Sequence, residues 1–265
     1  MGLSVQAPQR IARYAWLKRV LDVTVSALGL IALSPVLLLV CTLIWLEDRH
    51  NPFYVAPRVG LGGRPFRMLK LRSMIVRADR TGVDSTRKDD PRITNVGRVI
   101  RRLKLDEFSQ LWNVLRGDMS LVGPRPNVER DVRLYTDVER HLLDVRPGIT
   151  DFASIVFADE GEILAGAADP DLRYNQVIRP WKSRLGLHYI AHKSLGLDLQ
   201  LVTATLLSGV SRGVALRWIA AILERAGAAA DLVAVAQRRA PLQPTPPPGA
   251  AAVVQSRMPS AAAAS

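Results

Sequence analysis

Residues 23–46 form a run of 24 without a single charge, mostly Leu, Val, Ile and Ala. Lys18, Arg19 and Asp22 close it on one side, and Glu47, Asp48 and Arg49 on the other. As a helix rising about 1.5 Å per residue it reaches roughly 36 Å, enough for a hydrocarbon core of about 30 Å. A secretory signal is a poor match, because the run is too long and leads into Glu47-Asp48-Arg49-His50 with no small-residue cleavage pattern. A core helix of a soluble domain would not stay uniformly apolar over this length. Ser34-Pro35 sits at the middle of the run, and proline removes a backbone donor and kinks a helix. Basic residues stand on both sides: Arg10, Arg13, Lys18 and Arg19 before, and Arg49, Arg58, Arg64, Arg67, Lys70 and Arg72 after. A straight span must translocate one basic flank, whereas a segment that enters and leaves by the same face translocates neither. The sequence therefore predicts a re-entrant membrane helix hairpin over residues 20–48, broken at Ser34-Pro35, with both ends cytoplasmic.

The 265 residues carry 36 Lys plus Arg against 24 Asp plus Glu, a formal charge of +12. Nucleic acid, an anionic membrane surface and a phosphorylated small substrate are the partners that such a balance suits. Thirty of the 36 cations are arginines, whose planar forks match phosphate geometry. The one cysteine, Cys41, excludes an intramolecular disulfide or a paired-cysteine metal site, and reads as a small hydrophobe.

Four regions follow from the pattern: a basic segment 1–19, the membrane hairpin 20–48, a catalytic domain 49–226 and a tail 227–265. Phe53-Tyr54-Val55 and residues 66–71, separated by Gly60, Gly62 and Gly63, read as a short β-hairpin. Thr94 or Asn95 caps a helix with apolar positions Ile100, Leu103, Phe108, Leu111, Trp112 and Leu115, and Gly117 ends it. Residues 128–143 read as a second helix stopped by Pro147-Gly148, with further helices around 170–190 and 197–226. The last 26 residues hold 6 Pro, 8 Ala and a single charge, Arg257, which predicts a disordered tail. The fold class expected is α/β and mostly helical: a membrane-associated catalytic domain with a short β-hairpin.

Chemistry concentrates at Arg101-Arg102-Leu103-Lys104-Leu105-Asp106-Glu107 and at Gly123-Pro124-Arg125-Pro126. On an α-helix Asp106 and Glu107 point about 100° apart and need not do the same work. An isolated Asp-Glu pair is usually a solvated face. Here a rigid Pro-Arg-Pro turn and the cations of Lys70-Leu71-Arg72-Ser73 lie close by in sequence, a composition suited to a polyphosphate. His50, His141, His188 and His192 are scattered, and the His188/His192 pair lacks the glutamate of a zinc protease motif.

The blocks PFRMLKLRSM at residues 65–74, DPRIT at 90–94, LDE at 105–107, QLWNVL at 110–115, GDMSLVGPRP at 117–126 and RPGIT at 146–150 occur in order. Together with the apolar segment and its Ser-Pro, they resemble the bacterial sugar transferase family, the monotopic phosphoglycosyl transferases, from about residue 18 to 198. The resemblance implies transfer of a sugar 1-phosphate from a UDP-sugar to a polyprenyl phosphate, releasing UMP and starting a lipid-linked glycan. It implies Mg2+ as cofactor and a location at the bacterial inner membrane, catalytic domain towards the cytoplasm. By position, Asp106 corresponds to the family's nucleophile and Glu107 to its partner, both candidates to hold the metal. Arg101 and Arg125 correspond to arginines near the phosphates, and Lys70, Arg72 and Asp198 to further substrate-binding positions. A carboxylate can attack phosphorus and divide one hard transfer into two easier ones.

The chain departs from that pattern after Thr150. Many members continue with Gly-Trp-Ala-Gln-Val and an Asn-Gly-Arg, whereas this sequence reads Asp151-Phe152-Ala153-Ser154-Ile155-Val156-Phe157, with no arginine at the corresponding place. A membrane-anchored nucleic-acid binder is the second reading of the +12 charge. It lacks a helix-turn-helix, RNP or zinc pattern, so no nucleic acid is expected as partner. An idle adaptor of a glycan assembly complex is the third, and the intact Asp106-Glu107 argues against it.

Overall fold

The computed structural model describes residues 8–81, 85–87 and 89–256. Helix α1 runs over Pro8–Asp48, followed by an antiparallel hairpin of β1 (Phe53–Val59) and β2 (Pro65–Leu71), paired from Phe53 with Leu71 to Val59 with Pro65. Gly62 and Gly63 make the connection at φ of 64° and 76°, a region that L side chains rarely occupy. Helices α2 (Asn95–Arg102) and α3 (Leu111–Arg116) flank a 3-10 segment, Leu105–Gln110. Strand β3 (Ser120–Val122) then pairs in parallel with β4 (Gly148–Thr150). The rest is helical: α4 (Glu129–Val132), α5 (Asp137–Arg140), α6 (Phe152–Val156), α7 (Glu160–Ile163), α8 (Pro170–Arg173), a π turn over Tyr174–Ile178, α9 (Arg179–His192), α10 (Leu195–Val210), α11 (Arg212–Arg225) and α12 (Ala230–Gln237).

The main core joins Met119, Leu121 and Val122 at β3 to Phe152, Ile155 and Val156 of α6, and on to α9, α10, α11 and α12. A smaller cluster, Val40 and Ile44 of α1 with Leu71 and Ile100, sets the far end of α1 against β2 and α2, with Cys41 packed beside it. Arg179 and Glu139, both fully buried, form an ion pair at 2.7 Å, and Ser183 Oγ donates to the same carboxylate.

Helix α1 corrects one expectation. It is not broken at Ser34-Pro35, because the helix continues through Pro35. The missing proline N–H would have served Ile31 O, and Ser34 Oγ donates to that carbonyl at 2.7 Å instead. Both ends of α1 are fastened to the same domain. Tyr14 and Lys18 donate to Asp198, Arg19 donates to the carbonyls of Val114 and Leu115, and Asp22 accepts from Leu121 N. At the other end Glu47 accepts from Asn95 N and Asp48 pairs with Arg72. The outward face stays apolar and uncovered, with Ile31 71% and Leu38 70% exposed.

The segment after residue 226 corrects another. It is not a loose tail as far as Ser256. Leu232, Val233 and Ala236 of α12 are buried, and Leu242 packs against the main core. Beyond it Thr136 donates to Pro248 O, Arg184 to Pro246 O and Gln176 to Val254 O. Residues 257–265 lie outside the described residues.

Candidate active site

Thr94 caps α2 by accepting from Gly97 N, and Lys104 adopts a left-handed conformation, φ 56°, that turns the chain out of α2. The carboxylates therefore do not sit on a long α-helix but on the 3-10 segment. With three residues per turn, Asp106 and Glu107 diverge by about 120°. Asp106 meets Lys70 of β2, Nζ to Oδ2 4.0 Å. Glu107 meets Arg125, with Nη1 and Nη2 donating to its two carboxylate oxygens at 3.0 and 2.8 Å.

Arg125 reaches that position because β3 and β4 run unusually close at their ends. A Cβ on Gly148 would come within 2.1 Å of Gly123 N, so both positions require glycine. The Pro-Arg-Pro turn follows at once, and Arg125 Nη1 also donates to Ile149 O at 2.6 Å. Burial acts to raise the pKa of Glu107, but Arg125 and then Lys70 more than offset it and hold the carboxyl below its usual range. Burial acts on the Lys70 amine in the other direction and depresses its pKa, opposed by Asp106. Asp151, which caps α6 through Ser154 N, is raised by burial. Lys70 and Arg125, with Asp106 facing the Lys70 amine at 4.0 Å and Glu107 locked by the arginine fork, thus share one small site.

The sequence model of the family described as bacterial sugar transferase matches residues 13–212. The chain belongs to the bacterial sugar transferase family. An exopolysaccharide production protein, ExoY of Sinorhizobium fredii, is 38% identical over 204 residues, covering 71% of this chain and 83% of that protein. A UDP-glucose:undecaprenyl-phosphate glucose-1-phosphate transferase of Caulobacter vibrioides is 39% identical over 174 residues, 62% of this chain and 64% of its own length. A UDP-N-acetylgalactosamine-undecaprenyl-phosphate N-acetylgalactosaminephosphotransferase of Aeromonas hydrophila is 35% identical over 200 residues, 73% of this chain and 43% of its own length.

In this sugar transferase the residues expected at the site divide into two groups. Asp106, Glu107, Lys70 and Arg125 come together. Arg101 stands apart on α2, its Nη1 3.5 Å from Ser73 Oγ and close enough to Asp90 to help Arg92 hold that carboxyl below its usual range. Arg72 is 9% exposed and fully engaged, with Asp48 through two guanidinium nitrogens and with Asn51 O through Nε. It fastens α1 to β2 and does not present a donor to a ligand. Asp198 does not cap α10, since Ser194 does that by accepting from Leu197 N. Its buried carboxylate receives Tyr14, Lys18 and Tyr189 and ties α1 to α9.

Among the described residues no three His, Cys, Asp or Glu side chains gather as a metal cage. Asp106 and Glu107 fit a different donor set, because magnesium takes one or two carboxylates with the substrate's phosphates in place of a full protein cage. Sequence reasoning gave no role to Ser109 and Asn113, both buried beside the site. Their signal was an amide and a hydroxyl at a spacing of four within the apolar stretch 108–115.

Proposed function

We propose that this enzyme transfers a sugar 1-phosphate from a UDP-sugar to undecaprenyl phosphate through a covalent intermediate on Asp106. The observation that carries the reading is the division of labour in the carboxylate pair. Glu107 is committed to the Arg125 fork, while Asp106 keeps its carboxylate open beside the Lys70 amine.

An Asp106 oxygen attacks the phosphorus that bears the sugar. The bond from that phosphorus to the oxygen bridging it to the UMP phosphate breaks, UMP departs, and an acyl phosphate remains. A phosphate oxygen of undecaprenyl phosphate then attacks the same phosphorus and displaces the Asp106 carboxylate, giving the diphosphate-linked sugar. Arg125 suits the charge developing on the phosphoryl oxygens, and Lys70 offsets the charge on Asp106 and its leaving group. Asp106 is the residue placed to hold Mg2+ with the substrate's phosphates, Glu107 joining it only by sharing its Arg125-bound oxygens, and the ion when bound neutralises the diphosphate.

The uncovered apolar face of α1 suits the acyl region of a bilayer, and both of its ends are fastened to one domain, which supports a continuous helix with both ends on one face of the membrane. That face is the cytoplasmic one, where UDP-sugars are available. Both lipid-linked relatives above carry undecaprenyl phosphate in their names.

The test uses purified protein, Mg2+ and a panel of UDP-sugars without a lipid acceptor. With the correct donor the protein releases one UMP per site and gains the mass of a sugar phosphate at Asp106. A requirement for both substrates before any UMP appears overturns the covalent route.

A further inference from the structure

Among the described residues, strand β2 has a strand partner on one edge only. Its other edge is closed by two side chains and not by a third strand. Asn113 Oδ1 accepts from Leu69 N at 2.8 Å, and its Nδ2 donates to Arg67 O at 2.8 Å. Ser109 Oγ lies 3.2 Å from Leu69 O and 3.3 Å from Asp106 O, so one hydroxyl stands between the backbone of the nucleophile and the backbone of the residue before Lys70. Ser109 and Asn113 are one helical turn apart and 3% and 2% exposed.

Three backbone groups of Arg67 and Leu69 are satisfied in this way, each of which would otherwise be left unpaired under the site. The same bonds fix where β2 lies relative to the 3-10 segment, because Ser109 is on that segment and Asn113 is the third residue of α3. Lys70 follows Leu69 directly, and Asp106 precedes Ser109 by one turn. The 4.0 Å approach of Lys70 to Asp106 is therefore spanned by a clamp with bonds on both sides of it. A strand edge closed by a hydrogen-bonding pair can slide less than one packed by apolar groups, since each bond has a directional optimum.

We infer that Ser109 and Asn113 are positioning residues that hold the Lys70 amine at the Asp106 carboxylate for the transfer. The inference rests on the proposed chemistry for its kinetic arm, and on geometry alone for its second arm. Displacement of a catalytic group by about 1 Å can cost about 10²-fold in rate without touching substrate affinity.

The experiment compares full-length wild type with Asn113→Ala, Asn113→Asp and Ser109→Ala. The amplitude of the UMP burst counts working sites, and the single-turnover rate is expressed per site, so a loss of folded protein does not enter. Asn113→Ala is expected to lose about 10²-fold per site with KM for the UDP-sugar within about threefold of wild type. Asn113→Asp keeps the acceptor for Leu69 N but sets a buried carboxylate oxygen against Arg67 O and Asp118 Oδ2, so it is expected to lose at least as much as Asn113→Ala, while Ser109→Ala falls between. In parallel, acylation of Lys70 by a small reagent is followed by mass. The reaction is run over a pH series so that accessibility is read apart from the amine's protonation, and release of the clamp raises the limiting rate of the neutral amine by about threefold or more. Per-site rates within about twofold of wild type, or an unchanged Lys70 modification rate, overturn the inference. A wild type without any UMP burst overturns the covalent route instead, and the Lys70 arm still decides the clamp. If Asn113→Ala does not fold, Asn113→Asp and Ser109→Ala carry both arms.

Discussion

Glu107 and Arg125 are joined fork to fork, both carboxylate oxygens against both terminal guanidinium nitrogens, at 2.8 and 3.0 Å. A pair of this geometry fixes direction as well as distance. It engages both Glu107 oxygens, whereas Asp106 faces the Lys70 amine at 4.0 Å.

Asp106→Asn keeps the volume of the side chain and removes the nucleophile. Turnover is expected to fall by about 10³-fold or more, with no sugar-phosphate adduct in the mass spectrum. The melting temperature stays within a degree or so of wild type, since a partly exposed carboxylate 4.0 Å from its nearest cation contributes little stability. Activity near the wild-type rate removes Asp106 from the mechanism.

Arg125→Lys retains the charge and loses the planar fork that grips Glu107 and Ile149 O together. The expected loss is about 10²-fold in kcat. Glu107→Gln leaves the arginine with a weaker partner and is expected to be at least as damaging. A variant pair with wild-type kcat would show that the fork is only structural.

Arg179 and Glu139 are both fully buried, so removing one member strands a charge in the core. Arg179→Met is expected to cost about 3–5 kcal/mol, measured by chemical or thermal unfolding. Arg179→Met combined with Glu139→Met recovers part of that loss, because two apolar groups replace two paired charges. A single variant as stable as wild type would contradict the pairing.

His188 is held to a pKa of about 4, chiefly by burial and then by the His192 ring stacked 4.2 Å from it. The unfolded chain, with a histidine pKa of about 6.5, binds this proton more tightly than the folded one. The contribution is complete above that unfolded value and disappears as pH falls through the folded one. Wild-type stability therefore declines from pH about 6.5 towards about 4. In His188→Leu this part of the slope is missing, which unfolding curves at pH 6.5 and 5 will show as a smaller difference between the two.

Deletion of residues 241–265 removes Leu242 from the core and breaks the bonds to Pro246, Pro248 and Val254. The melting temperature is expected to drop by about 5 °C or more, with the rate per folded molecule unchanged. A truncated chain as stable as the full one would return this segment to the status of a loose tail.

How far the sequence carried the fold differs from element to element. The apolar run, the Thr94 cap, the end at Gly117 and the β-hairpin were legible because each depends on local chemistry. The break at Lys104 was not, since a lysine at positive φ carries no signal that a glycine or asparagine would. Residues 128–143 read as one helix, yet the structure has two single α turns, the second capped by Thr136 and running on into a 3-10 turn at His141–Asp144, because a serviceable cap inside a periodic stretch ends a helix as well as it starts one. The parallel pair β3 and β4 is three residues long on each side, too short for any alternation to show. Asp106, Glu107 and Arg125 were singled out by motif, and the structure brings them together with Lys70. Arg72 and Asp198 were assigned to substrate, when their partners are residues far away in the chain that no local pattern reveals.

The fastening of α1 at both ends has a consequence for how such a segment can vary. Between Asp22 and Glu47 almost any apolar residue meets the outer face equally well, so composition is free to drift. Length is not. One residue inserted there turns everything beyond it by about 100° and advances it by about 1.5 Å. Either Asp22 would then lose Leu121 or Asp48 would lose Arg72. The segment behaves as a ruler, tolerant in its letters and strict in their number, and it sets the spacing between the Asp198 anchor at one end and the Arg72 anchor at the other.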